Sequence, residues 1–253
     1  MGAVHAHRLY VHGHSVVHRL PAECKLVALV GFVFTVVATP RTAFAAFGCY
    51  AVLLFALIKL AQIPAGFALR RVVVEAPVVV FAVLLPFVAH GPQTEVLGVG
   101  VSEPGLLAAW NILAKATLGV LAAIVFAATT EQRDFLVGLQ RLRVPSLLIQ
   151  IVAFMVRYLD VITDQLGRMR VARESRGFTP KGVRAWPALA KSGGALFLRS
   201  YERGERVHLA MLSRGYNGTM PVLSARSASL TDWTCALLLP GLAVLVALGG
   251  WLL

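Results

Sequence analysis

Two short segments of this sequence place an arginine where its side chain could bind a partner. Ser175-Arg176-Gly177-Phe178 and Ser213-Arg214-Gly215-Tyr216 repeat one pattern of serine, arginine, glycine and an aromatic residue, 38 positions apart. A guanidinium group pairs with a carboxylate through two parallel hydrogen bonds, which gives both affinity and a defined orientation. Both arginines are therefore candidate docking residues.

Each segment is predicted to end a helix. Gln165–Arg176 and Arg203–Arg214 contain no proline, and each is followed by a glycine and then by an aromatic residue. Glycine favours the left-handed backbone turn that ends many helices, and the aromatic side chain can fold back on the last turn, as we expect for Tyr216 on Met211. The sequence therefore predicts two helix ends of the same geometry.

Helical spacing places each arginine on an apolar face of its helix. An arginine in a last turn often only complements the helix dipole, but the repeated motif favours a docking helix that lays its apolar face in a groove of a partner. The residues that share a face with the two arginines are Leu166 and Met169 in the first helix and Val207, Ala210 and Met211 in the second.

The elements that position these segments are predicted to be membrane helices. Of the 253 residues, 58% are hydrophobic and 14% are charged, whereas a soluble domain has about 25% charged residues. This composition excludes a soluble α/β enzyme. Five stretches are apolar enough to cross a bilayer, although some fall short of the usual length of about 20 residues: Glu23–Ala38, Ala43–Ile63, Val72–Ala89, Gly105–Ala128 and Trp233–Leu253.

The distribution of basic residues predicts the orientation. The loop Gly91–Glu103 contains no lysine or arginine, so it is placed outside and the N-terminus in the cytoplasm. The segment Glu131–Leu230 holds 16 of the 24 basic and 7 of the 12 acidic residues, a net charge of +9. Within it, Leu147–Thr163 is apolar but carries Gln150, Arg157 and Asp160, which favours a helix at the membrane interface; if it crosses the membrane instead, the topology after it inverts.

The predicted fold is an all-α, polytopic membrane bundle with a basic cytoplasmic domain of amphipathic helices. Its parts are a cytoplasmic N-terminal segment (1–22), a bundle of four spans (23–130), the cytoplasmic domain with the two arginine-ended helices (131–230) and a final span (231–253). The chain is therefore expected in the cell membrane as a multi-pass protein.

Charged residues inside predicted spans are functional candidates. Lys59 and Glu75 lie at matching depth on neighbouring spans, so we expect them to form a structural ion pair. Lys115 lies too high in its span to reach Glu75, and should either face the bundle interior or donate hydrogen bonds to carbonyl groups. A proton relay would need several acids in series, and only one is present.

No metal, cofactor or catalytic site is predicted. The histidines at 5, 7, 12, 14 and 18 include His-x-His spacings, but no cysteine or carboxylate precedes Glu23, and such a cluster would bind transition metals weakly. His18 is interpreted as structural.

There is no GxxxxGK[ST], HExxH or GxSxG motif, so any ATP must be hydrolysed by another polypeptide. The basic segment has no aromatic platform for nucleic acid and is expected to face anionic lipid.

Taken with the two arginine motifs, other segments give the chain a resemblance to a known family. It resembles the transmembrane coupling (T) component of energy-coupling-factor (ECF) importers, closest to the cobalt-transport, CbiQ-like type. The resemblance covers most of the chain, and the segments that carry it are His18-Arg19-Leu20-Pro21, Lys25-Leu26, Val144-Pro145, Arg157-Tyr158, 173–178 and 205–216.

The resemblance implies partners and a function. In that family an Ala-Arg-Gly motif ends each of two coupling helices, which dock on a pair of ABC ATPases; here Ser175 and Ser213 replace the alanine. ATP and Mg would be bound by those ATPases, and a separate substrate-binding (S) subunit would capture cobalt, nickel or a vitamin. This chain would transmit motion and would not itself be an enzyme.

Two other functions stay open at this stage. A self-contained secondary transporter would need broken helices and an inverted repeat, and neither is apparent in the sequence. A lipid-binding membrane scaffold would use the two arginine motifs only as helix caps.

Overall fold

The structure of the chain is a computed structural model that describes residues 10–11, 13, 15–64, 66, 73–89, 92–96, 99–178, 185–218 and 228–252. The described residues form two compact units. The bundle unit lies within residues 9–138 and 225–253, and the helical-pair unit lies within residues 139–224.

Apart from one short hairpin, the described residues form helices and the turns between them, which confirms the all-α class. The elements in chain order are α1 (Val16–Arg19), α2 (Ala22–Ala38), α3 (Phe44–Leu60), a 3-10 turn (Val73–Glu75), α4 (Ala76–Val88), β1 (Gln93–Val96), β2 (Val99–Ser102), α5 (Glu103–Thr129), α6 (Gln132–Arg141), α7 (Ser146–Ser175), α8 (Trp186–Leu212) and α9 (Leu230–Leu252).

The core of the bundle unit forms where α2, α3, α5 and α9 meet. Phe32, Tyr50 and Leu54 are buried there together with small residues such as Ala122 and Ala243. The Tyr50 hydroxyl lies 3.0 Å from Thr39 Oγ1 and donates to the Ala243 carbonyl at 3.4 Å. A phenol buried among apolar side chains needs such a partner, so this contact fixes the depth of Tyr50 in the core.

Helices α4 and α5 approach each other closely at Gly105. A Cβ atom at this position would lie 2.8 Å from the Pro86 Cα atom, so only glycine fits without a shift of the backbone. The strands β1 and β2 pair in antiparallel register between these helices. The hairpin was not predicted, since the sequence indicates only a loop at Gly91–Glu103.

Several described helices carry the apolar surface expected of membrane spans. Glu103–Thr129, Ser146–Ser175 and Leu230–Trp251 are long and apolar enough to cross a bilayer, and Phe44–Leu60 and Ala76–Val88 are shorter apolar helices. Large apolar side chains such as Phe81, Phe87 and Leu245 are exposed on them. Lipid, rather than water, is the solvent that such faces require.

The helical-pair unit differs from the sequence prediction in the length of its helices. The predicted helix Gln165–Arg176 is only the last part of α7, which begins at Ser146 and also contains the apolar stretch Leu147–Thr163. The second predicted helix, Arg203–Arg214, is the last part of α8, which begins at Trp186. Helix α7 contains no proline, and Pro187 of α8 lies in its first turn, where proline is tolerated, so neither helix is interrupted.

Candidate docking site

The first arginine motif ends α7 with a complete Schellman motif. Gly177 has φ +72°; its backbone N–H donates to the Glu174 carbonyl at 3.0 Å, and the Phe178 N–H donates to the Arg173 carbonyl at 3.1 Å. These two bonds satisfy carbonyl groups that the helix itself leaves without a donor. The end of α7 is therefore fixed by glycine, as the sequence predicts.

The second motif ends α8 in the same way. Gly215 has φ +84°; its N–H donates to the Leu212 carbonyl at 3.0 Å, and the Tyr216 N–H donates to the Met211 carbonyl at 3.0 Å. The prediction that the two helices end with the same geometry is thus confirmed, because the same two capping hydrogen bonds form at each end.

The serines of the two motifs also make the same contact. The Ser175 hydroxyl donates to the Ala172 carbonyl at 3.1 Å, and the Ser213 hydroxyl donates to the Ala210 carbonyl at 3.0 Å. Each hydroxyl is satisfied within its own last turn, so a serine takes the place of a small apolar residue without needing an external partner.

Both arginine side chains are accessible to solvent. Arg176 and Arg214 are exposed, and within the described residues no acceptor is found for either guanidinium group. Five N–H donors on each side chain are therefore available to a partner.

A buried glutamine connects the end of α8 to the beginning of α7. The Tyr216 hydroxyl donates to Gln150 Oε1, and Gln150 Nε2 donates to the Gly218 carbonyl at 2.7 Å. Gln150 is 8% exposed, so both ends of its amide are satisfied in a region with little water. The Tyr216 hydroxyl thus reaches the other helix, a contact that the sequence did not predict.

The helices α7 and α8 lie antiparallel, which places the two arginine motifs at opposite ends of the pair. Near the end of α7, Arg173 Nη1 donates to Ser192 Oγ, at the beginning of α8, at 2.9 Å. The Gln150–Tyr216 contact pairs the beginning of α7 with the end of α8. Along α7, the 26 residues between Gln150 and Arg176 correspond to about 39 Å at 1.5 Å per residue.

The predicted face residues are distributed differently on the two helices. Met169 is half-buried and lines a cleft between α7 and α8 together with Arg176. Leu166 is 43% exposed. On α8, Val207 and Met211 are half-buried and Ala210 is exposed. The described helices α7 and α8 therefore leave apolar surface near both arginine motifs.

The predicted ion pair between Lys59 and Glu75 is wrong. Glu75, which is 3% exposed, accepts a hydrogen bond from Thr117 Oγ1 on α5 at 2.8 Å. Lys59 is exposed and its ammonium lies 5.4 Å from the centre of the Phe55 ring. The position of a residue along a span can be counted from the sequence, but the rotation of each helix about its axis, which decides the partner, cannot.

Lys115 donates a hydrogen bond to a carbonyl group, which is one of the two arrangements expected for it. Its Nζ atom donates to the Val37 carbonyl at 2.8 Å. This contact joins α5 to the end of α2, where the backbone of a helix has carbonyl groups without an internal donor.

The segment before α2 is held by a network that the sequence only partly revealed. His18 Nδ1 lies 2.7 Å from Ser15 Oγ, and His18 Nε2 lies 3.0 Å from the Val11 carbonyl. Buried Lys25 donates to the Thr129 carbonyl at 2.7 Å. His18 is structural, as predicted, whereas the histidines at 5, 7, 12 and 14 lie outside the described residues. The role of Lys25 was missed because Thr129 is distant in sequence.

An apolar helical bundle joined to a pair of arginine-ended amphipathic helices defines a multi-pass membrane protein. The family model described as "CbiQ: Cobalt transport protein" matches residues 13–223 of the chain. The chain belongs to this family.

Individual relatives agree with this assignment. Over 185 residues the chain is 28% identical to an uncharacterized protein of Methanocaldococcus jannaschii, and the match covers 70% of this chain and 63% of that protein. It is 27% identical over 208 residues to the cobalt transport protein CbiQ of Rhodobacter capsulatus, and that match covers 82% of this chain and 83% of that protein. It is 25% identical over 224 residues to the energy-coupling factor transporter transmembrane protein EcfT of Bacillus subtilis, covering 83% of each. The chain thus spans less than two thirds of the Methanocaldococcus relative.

Proposed function

We propose that this chain is the transmembrane coupling subunit of an ECF-type ABC importer. Its helical-pair unit docks on two ABC ATPase subunits, and its bundle unit contacts a substrate-binding S subunit in the membrane. The chain catalyses no reaction and binds no cofactor; ATP and Mg are bound by the ATPases. The distribution of basic residues around the spans supports a cytoplasmic N-terminus and a cytoplasmic location for the basic, arginine-ended parts of residues 131–230.

One observation supports this proposal more than any other. Two arginines with free guanidinium groups occupy identical Schellman ends at opposite ends of one antiparallel helix pair. A single docking point would need only one such end, whereas two copies separated by the length of α7 suit two similar binding grooves on two similar subunits.

The geometry also suggests how motion is transmitted. When the ATPases close on nucleotide, the two docked ends move with them. Because Gln150, Tyr216 and the Arg173–Ser192 contact tie α7 to α8, the two helices move together and do not slide past each other. The movement then reaches the bundle as a displacement of connected helices.

The substrate is proposed from the names of relatives. The Rhodobacter relative is named a cobalt transport protein, so cobalt or the chemically similar nickel is the first candidate and a vitamin the second. The metal is cargo bound by the S subunit. Anionic lipid is a further partner of the basic residues between 131 and 230.

The test is charge reversal at both docking residues. Arg176→Glu and Arg214→Glu together should abolish co-purification of the ABC ATPase subunits and ATP-dependent uptake of labelled cobalt or nickel, because a carboxylate on a partner would then meet a carboxylate. Membrane insertion and yield should not change. The matched control is Arg170→Glu with Arg206→Glu, which reverses the same number of charges on the same two helices at positions with glutamate neighbours.

Unchanged co-purification of the ATPases with the double Arg176/Arg214 variant would refute the proposal. Uptake by the purified chain alone in vesicles without any ATPase would refute it too, and would indicate a secondary transporter.

A further inference from the structure

A cleft between α7 and α8 concentrates positive charge. It has a volume of about 620 Å³ and is lined by one stripe of each helix. Six of its lining residues are basic and none is acidic: Arg168, Arg173, Arg176, Lys191, Arg199 and Arg203.

The guanidinium groups of the cleft have few partners within the protein. Arg173 donates to Ser192, but for Arg168, Arg199 and Arg203 the described residues provide no acceptor. By contrast, Arg170 Nε, which does not line the cleft, donates to Glu174 Oε1 at 2.8 Å; this hydrogen bond raises the pKa of Arg170 above its ordinary value. Like charges gathered without a counter-charge repel each other, so the cleft is suited to an anion.

A buried polar group in the same cleft also lacks a partner. Gln165 lines the cleft and is 9% exposed, yet no hydrogen bond to its amide is found among the described residues. The side-chain N–H groups of Gln165 are therefore free to donate to a ligand oxygen in the cleft. The positive charge and this free donor both point to a ligand with several oxygen acceptors.

The position of the cleft along α7 indicates where the anion comes from. The first part of α7 exposes Leu147, Met155 and Leu159, and the helix is apolar enough to enter a bilayer. The cleft begins at Gln165, just after this apolar part. Basic pockets beside apolar helix segments on the cytoplasmic side bind anionic lipid head groups.

We infer that the cleft is a binding site for the phosphodiester head group of an anionic phospholipid. Guanidinium groups of Arg168, Arg199 and Arg203 pair with the phosphate oxygens, and Gln165 donates its amide N–H to the same group. Met169, Ala172 and Ala195, which also line the cleft, contact the glycerol portion. The inference deepens the role of lipid in the proposed function. Arg176 lines the cleft and is also a proposed docking residue, whereas Arg199 and Arg203, which the test changes, line the cleft and are assigned no part in ATPase docking.

The test compares two double variants of the full-length chain in neutral detergent. Arg199→Gln with Arg203→Gln removes two charges from the cleft, and Arg170→Gln with Arg206→Gln removes two charges from the same helices outside it. Binding of phosphatidylglycerol and of phosphatidylcholine is titrated in mixed micelles. Arg176 and Arg214 stay unchanged, so failure of this inference and failure of ATPase docking are distinguishable.

Phosphatidylglycerol should bind the unaltered chain at least about tenfold more tightly than phosphatidylcholine. The cleft variant should lose about 25-fold in affinity for phosphatidylglycerol, because each basic residue near an anionic head group contributes about fivefold. The control variant should stay within about twofold of the unaltered chain. Arg199→Lys with Arg203→Lys keeps the charge and should retain part of the affinity; circular dichroism checks that all variants keep their helices.

Three outcomes would overturn the inference. An equal loss in the control variant would indicate a general charge effect. Complete displacement of phosphatidylglycerol by micromolar inorganic pyrophosphate would indicate that the cleft is a site for soluble phosphate. Unchanged lipid binding combined with loss of ATPase co-purification in the cleft variant would assign the cleft to the ATPase interface.

Discussion

The hydroxyl of Tyr216 donates a hydrogen bond to the buried side-chain amide of Gln150, 66 residues earlier in the chain. Tyr216 is the last residue of the second arginine motif, and Gln150 lies in the first turns of α7. One side-chain contact therefore joins the end of α8 to the beginning of α7.

Tyr216→Phe should weaken this junction. Gln150 Oε1 would remain buried without a donor, which should lower the free energy of unfolding by about 1–3 kcal/mol. Unfolding of the purified chain in micelles measures the change. Tyr201→Phe is the control, because Tyr201 on α8 is 63% exposed and its loss should change stability by less than about 0.5 kcal/mol. Equal effects of the two variants would contradict a structural role for the Gln150 contact.

Alanine should have opposite effects at the ends and in the middle of α7 and α8. Gly177→Ala and Gly215→Ala should each destabilise by about 1–2 kcal/mol, because both positions have positive φ. Gly167→Ala and Gly204→Ala should each stabilise by up to about 1 kcal/mol through helix propensity. No atom lies within 4 Å of a Cβ built at any of the four positions, so backbone conformation alone sets the sign. Thermal unfolding of the four variants checks this, and loss of stability at all four would contradict it.

Two lysines in the apolar helices should differ strongly in their contribution to stability. Lys25→Met should destabilise by about 1–3 kcal/mol, since the Thr129 carbonyl loses a donor at 2.7 Å. Lys59→Met should change stability by less than about 0.5 kcal/mol, because Lys59 is exposed and only its contact with Phe55 is lost. Denaturant titration in mixed micelles measures both, and a larger effect at Lys59 would be inconsistent with the structure.

A double-mutant cycle should locate the partner of Glu75. Glu75→Leu and Thr117→Val should show a coupling free energy of about 1.5–3 kcal/mol, as for a hydrogen bond to a charged group. Glu75→Leu and Lys59→Met should be additive within about 0.5 kcal/mol. Unfolding free energies of the single and double variants provide both values. Strong coupling to Lys59 would restore the ion pair that the sequence suggested.

The parts of the fold that depend on neighbouring residues could be predicted from the sequence. The ends of α7 and α8 follow from a glycine and the residues within one turn of it, and the hydrogen bonds at Gly177 and Gly215 match that prediction. The apolar helices follow from composition. By contrast, the beginnings of α7 and α8 were placed too late, because the predicted helices were taken as separate from the apolar sequence before them.

The parts that depend on distant residues could not be predicted. Glu75 and Thr117 are 42 residues apart, and their contact depends on how α5 is rotated about its axis, which hydropathy does not specify. The cleft between α7 and α8 likewise needs the antiparallel pairing before its basic residues come together. The repeated motif identifies Arg176 and Arg214 as candidate docking residues, but only the packing of α7 against α8 shows that they lie at opposite ends of the pair.

The antiparallel pairing of α7 and α8 also has a consequence for chain length. An insertion of four residues in α7 would move Arg176 outward by about 6 Å without changing the turn at Gly177. For the proposed docking, nucleotide-hydrolysing subunits of different width would require this helix to differ in length by whole turns, since a partial turn would rotate the arginine to another side of the helix.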